Sequence, residues 1–153
     1  MRFSFAVEST LGKLARLLRM AGFDAVLCAG VPDADQMIGQ AQKQRIILTR
    51  TRRVYAKIPP DRAILILDDD PDDQVRGIFN RLGIKREELK PLARCTFCNE
   101  ELVEADRDQF SGRMPDYVRE QGCLFHQCPH CGRIYWPGSH ASRMLARLDG
   151  LFR

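Results

Sequence analysis

Four cysteines stand in two pairs, Cys95 with Cys98 in "CTFC" and Cys128 with Cys131 in "CPHC". Two residues between ligands let one tight turn present both sulfurs to the same ion, and four thiolates at about 2.3 Å make a closed tetrahedral zinc site. Pro129 and Gly132 suit the second turn. A closed site leaves no position for substrate, so this zinc would hold structure and perform no chemistry. A redox dithiol would stand beside a βαβ pattern, and neither pair does. His126 and His130 are expected to be bystanders, because the thiolates already complete the tetrahedron. The 29 residues between the pairs exceed the common ribbon spacing and imply an insertion, with a helix expected at residues 115–122.

A second chemistry lies in the carboxylates Glu8, Asp33 and Asp35, and in the run Asp68, Asp69, Asp70, Asp72, Asp73. Converging carboxylates are what hard cations such as Mg²⁺ or Mn²⁺ require. Two such ions about 4 Å apart activate water and stabilise the leaving oxygen in phosphodiester hydrolysis. Residues 43–62 add seven Lys and Arg against one Asp, with Arg50, Arg52 and Arg53 close together, a track suited to a phosphate backbone. There is a plainer alternative for several acids. Asp33 and Asp70 sit where N-caps belong, and Asp35, Asp72 and Asp73 fall in first helical turns where the macrodipole favours them.

Whether the carboxylates meet depends on the elements that carry them. "RFSFAV" alternates as a first strand ending at Glu8, and a helix follows with Leu11, Leu14, Ala15, Leu18 and Gly22 at helical spacing. Ser9 or Thr10 is placed to cap that helix, and Lys13, Arg16 and Arg19 lie off its apolar stripe. "DAVLCA" is a second strand. Asp33 opens a second helix, with Gln36 completing a capping box. "RIILT" and "AILIL" are short continuous apolar runs of the kind buried on both faces of a sheet. Between them a short basic helix or turn stops at Pro59 and Pro60. Asp70 and Pro71 then start a helix that Gly83 ends. Four strands alternating with helices predict an α/β domain with a parallel sheet, residues 1–91. Ligands of such sheets bind outside the carboxyl ends of the strands, which is where Glu8, Asp33, Asp35, Asp68 and Asp69 fall.

After "KPLAR" the pattern changes to short strand candidates at residues 102–105, 124–128 and 133–136, with a final helix capped by Ser139. Residues 92–153 are therefore expected to form a zinc-ribbon module with a C-terminal helix, too small to fold without its metal. The chain of 153 residues has a net charge of +4, and residues 1–92 hold the excess, 16 Lys and Arg against 12 Asp and Glu. No apolar run approaches a membrane span, and "MRFSFAVEST" lacks the features of a signal peptide. Paired cysteines without a secretory signal point to a cytoplasmic location.

"RFSFAVESTLGKLARLLRMAGFD", "DADQ", "RIILTRTR", the cysteine pairs and "GRIYWPGSHASRM" together resemble the C-terminal RNase-like family named after the Mut-seven exonuclease, Mut-seven-C. The resemblance spans nearly the whole chain. It implies a PIN-like nuclease domain joined to a zinc ribbon, and a ribonuclease that uses Mg²⁺ or Mn²⁺ at acidic strand ends. The family's first-strand acid, usually Asp, falls on Glu8; the acids after strand two fall on Asp33 and Asp35; Asp68 or Asp69 matches the acid after strand four. The third-strand motif usually reads Leu-Thr-Arg-Asp, and here Thr51 holds the Asp position. Lys13, Arg16, Arg50, Thr51, Arg52, Arg53, Trp136 and His140 are the expected RNA contacts. Two other outcomes stay open: a degenerate relative that binds RNA without cutting it, or a scaffold whose zinc module docks another protein.

Overall fold

β3 (Ile46–Thr49) is buried along its whole length, as a strand must be when helices cover both faces of its sheet. In the computed structural model, which describes residues 3–30, 33–110, 112, 116 and 124–152, it lies between β1 (Ser4–Val7) and β4 (Ala63–Leu65). β2 (Asp24–Leu27) pairs with the other side of β1, so the parallel sheet runs β2-β1-β3-β4. Strand alternation sorts the side chains between two apolar layers. Phe5, Val7, Leu48 and Ile64 face one layer with α1 (Gly12–Met20) and α4 (Pro71–Leu82). Ala6, Ile47 and Ala63 face the other with α2 (Ala34–Gln42) and the short α3 (Arg52–Tyr55).

The final helix, α5 (Ser139–Gly150), returns to the first layer, burying Leu148 and Leu151 there. Phe152 stacks on Phe79 at 5.5 Å, continuing a row of rings from Phe5 through Phe23. Between α4 and α5 a three-stranded antiparallel sheet forms from β5 (Val103–Ala105), β6 (Phe125–Gln127) and β7 (Ile134–Tyr135). The chain enters this second part by crossing Gly22, where the Lys90 carbonyl would lie 2.4 Å from any added Cβ. With φ of 97° as well, position 22 admits only glycine.

Most local signals act as expected. Asp33 and Asp70 both cap their helices, Asp70 accepting from the N–H groups of Asp72 at 2.8 Å and Asp73 at 3.2 Å. Three expectations fail, two of them because polar side chains take other partners. Ser9 and Thr10 do not cap α1: Ser9 donates to the Gly30 carbonyl and Thr10 to Glu8. Ser139 does not cap α5 either, because Gly138 takes the N-cap position. Arg19, off the apolar stripe of α1, is nonetheless 7% exposed, covered by the turn that carries Cys95 and Cys98. The helix expected at 115–122 falls outside the described residues.

Candidate functional site

β2 and β3 flank β1 on opposite sides, so the connections reverse direction between β1 and β3. This is the topological switch point, the place where sheets of this kind bind ligands outside the carboxyl ends of their strands. Glu8 ends β1 there and Thr49, Arg50 and Thr51 end β3. Glu8 is 2% exposed. Its Oε2 accepts from the Thr49 hydroxyl and from the Arg50 N–H at 3.2 Å, and its Oε1 accepts from the Thr10 hydroxyl at 2.7 Å. Thr49 is oriented in turn by the Thr51 N–H, which donates to its Oγ1 at 3.0 Å. Burial pushes the Glu8 carboxyl up, but the hydroxyls of Thr49, Thr10 and Thr51 and the Arg50 N–H outweigh it and hold the group below its ordinary value of 4.5. The fold therefore keeps a buried anion at the switch point.

Arg50 joins this carboxylate to the end of β4. While its N–H faces Glu8, its guanidinium pairs with the Asp69 carboxylate and donates to the Asp68 carbonyl at 3.3 Å. Glu8 and Asp69 thus share one residue, and Asp68 lies beside them. Asp33 and Asp35 take no part in this network: Asp33 caps α2, and Asp35 is exposed in its first turn. Among the described residues, these carboxylates form no group of three whose ligand atoms all lie within 4.8 Å of one another.

The four cysteines do form such a group. Cys95 Sγ and Cys131 Sγ lie 3.8 Å apart, the edge of a tetrahedron with bonds of about 2.3 Å. The N–H groups of Cys98 and Cys131 donate to the sulfurs of Cys95 and Cys128, and the Tyr135 hydroxyl lies 3.2 Å from Cys95 Sγ. Burial and the neighbouring thiols push Cys98 up to about 12. Against burial, the backbone and side chain of Arg133 bring Cys131 down to about 6. Four thiols this close resist ionising together without a cation, and the set fits a structural metal ion such as zinc.

The first cysteine turn is bolted to the α/β part by two residues that local pattern does not reveal. Arg19 donates to the carbonyls of Ala25, Thr96 and Phe97, at 2.9, 3.2 and 2.8 Å. Asn99, held at φ of 69°, donates to the Asp24 carboxylate at 2.6 Å and accepts from the Ala25 N–H at 2.9 Å.

A family model described as the Mut7-C RNAse domain matches residues 3–148. The chain belongs to the Mut7-C RNAse family. No curated protein and no solved structure matches it. In this Mut7-C chain Glu8 and Thr51 belong to one cluster, since the Thr51 hydroxyl helps to stabilise the Glu8 charge. Of the expected RNA contacts, Arg50, Arg52 and Arg53 are exposed at the end of β3 and on α3. Lys13, Arg16 and His140 line a cleft of about 680 Å³ between α1 and α5. Trp136 is partly buried, 6.4 Å from Phe125, and walls an adjoining pocket. Arg143 and Arg147 line the cleft too. Their spacing from His140, three and seven residues, was the available signal for a shared helical face. Among the described residues no helix is long and apolar enough to cross a membrane.

Proposed function

We propose that this Mut7-C chain is a PIN-like, metal-dependent ribonuclease, with residues 1–91 carrying the hydrolytic site and residues 92–153 helping to grip RNA. The observation that carries this reading is Glu8, a buried carboxylate kept ionised at the switch point. The donor set fits Mg²⁺ or Mn²⁺ in kind, because every candidate ligand is an anionic oxygen. Glu8 and Asp68 or Asp69, the carboxylates that Arg50 links, would hold the cation, with Asp35 on α2 as the further ligand the sequence supplies. When bound, such a cation supplies Lewis acidity and an activated water for phosphodiester hydrolysis. Glu8 contributes fixed negative charge, held in place by its hydroxyl shell. Asp69, paired with Arg50 in this structure, would be a ligand for such a cation, and the Arg50 guanidinium would then be available to a phosphate oxygen. Arg52 and Arg53 extend that phosphate track.

A second reading, RNA binding without cleavage, is favoured by one feature. Thr51 supplies a neutral hydroxyl where the family motif has a carboxylate, so it offsets none of a cation's charge. One experiment separates the two. The zinc-loaded chain is incubated with labelled single-stranded RNA and Mn²⁺ or Mg²⁺, alongside Asp35→Asn and Thr51→Asp. The ribonuclease reading expects metal-dependent cleavage that Asp35→Asn abolishes and Thr51→Asp increases. RNA binding with no cleavage by the native chain under either metal supports the second reading, and cleavage gained only in Thr51→Asp would identify the residue responsible.

A further inference from the structure

The cleft beside α1 begins at the carboxyl edge of the sheet. Lys13 lies in the first turn of α1, five residues after Glu8, and Pro71, two residues after Asp69, lines the same end. From there it follows α1 to Met20, where Thr96 and Phe97 of the first cysteine turn form its far wall. Among the described residues, no acidic one lines it. Arg147 is neutralised by Asp72 at 2.9 Å, which leaves Lys13, Arg16 and Arg143, all exposed, as the charges presented. Phe97 is 47% exposed and carries two guanidiniums, Arg16 at 4.6 Å and Arg133 at 3.8 Å from its ring centre. Past Phe97 opens a second pocket of about 500 Å³, walled by Phe97, Tyr135 and Trp136 and sharing His140 and Met144 with the first. Gly138 keeps that pocket's shape, since a Cβ there would lie 2.7 Å from Trp136 Nε1.

A row of cations leading to flat aromatic and guanidinium surfaces is the arrangement that grips single-stranded nucleic acid, phosphates along the row and bases on the rings. A duplex keeps its bases stacked inside, so turning one into such a pocket costs unstacking and unpairing energy that a single strand does not bear. We propose that single-stranded RNA lies in the composite cleft of α1, the first cysteine turn and α5, with phosphates on Lys13, Arg16 and Arg143 and one base in the pocket beside Phe97 and Trp136. The inference rests on the reading that this chain acts on RNA, and it adds where the strand runs and why it must be single. It also gives the cysteine cluster a part in binding: the turn it ties, held by Arg19 and Asn99, is the wall that carries Phe97.

The test is fluorescence anisotropy of the zinc-loaded chain with a labelled single-stranded RNA in buffer free of Mg²⁺ and Mn²⁺, at several salt concentrations. Removing two phosphate contacts in Arg16→Gln/Arg143→Gln should lower the salt slope by about 1.4, which makes binding about 25-fold weaker than that of the native chain at 0.1 M salt if the two extrapolate to equal binding at 1 M. Phe97→Leu should weaken binding about 5-fold to 160-fold with the salt slope unchanged. Lys85→Gln/Lys90→Gln, the same charge change elsewhere, should bind as the native chain does. Zinc content and circular dichroism of each variant show that it is folded. Equal binding by the two double variants, an unaffected Phe97→Leu, or preference for duplex overturns the proposal, as does failure of the native chain to bind. Tighter binding of DNA than of RNA of the same sequence overturns the assignment to RNA. Metal-dependent cleavage that persists with unchanged KM in the cleft variants would sink this inference alone. Cleft-dependent binding without cleavage would sink the ribonuclease reading alone.

Discussion

Replacing Glu8 by Gln isolates the charge at the switch point while keeping its size. In the native chain Oε2 accepts two hydrogen bonds and Oε1 one, all made to an ionised group. Gln can place its carbonyl oxygen where Oε2 stands and keep those two bonds, and the Thr10 hydroxyl can rotate to accept from the new amide. What is lost is the charge assistance, about 1 kcal/mol on each of the two retained bonds, or about 2 kcal/mol in all. The sign with pH follows from the lowered carboxyl. The folded pKa lies below the ordinary 4.5, so the stabilisation is complete above that value and is lost as pH falls through the folded pKa. Urea unfolding of native and Glu8→Gln chains at pH 7 and again near pH 3 reads the difference directly. The variant should be less stable by about 2 kcal/mol at pH 7, some 4–8 °C in Tm for a chain of this size, with the gap narrowing in acid. An equal gap at both pH values, or none at pH 7, would refute a buried ionised Glu8.

Two further outcomes test how the parts are joined. Cys131→Ser should reduce bound zinc from one per chain to none by atomic absorption, and should speed hydrogen exchange in the two cysteine turns while β3 stays protected. In the native chain zinc should be released as pH falls, because the thiolates must be deprotonated to bind it. Arg19→Met keeps the apolar stem but leaves the Ala25, Thr96 and Phe97 carbonyls without their donor. It should cost on the order of 3 kcal/mol in thermal unfolding with zinc still bound; a change under about 0.5 kcal/mol would mean that the turn is held by other contacts.

Strand and helix order, the buried character of β3, the caps at Asp33 and Asp70 and the cysteine spacing were all legible in the sequence. Each is set by residues within about four positions of one another, where period and capping chemistry act. The meeting of Glu8 with Thr49 and Arg50 joins residues about forty positions apart, and Arg19 and Asn99 tie segments more than seventy apart. No local pattern encodes such a meeting. Strand order made it, by bringing β1 beside β3, and the docking of the first cysteine turn on α1 then buried an arginine that its helical position would leave in water. A distant partner, the Gly30 carbonyl, likewise takes Ser9 from its capping role. The residue types that could do chemistry at this edge are written in the chain; which of them are taken up by one another, and which still face a ligand, follows from distant segments competing for the same polar atoms.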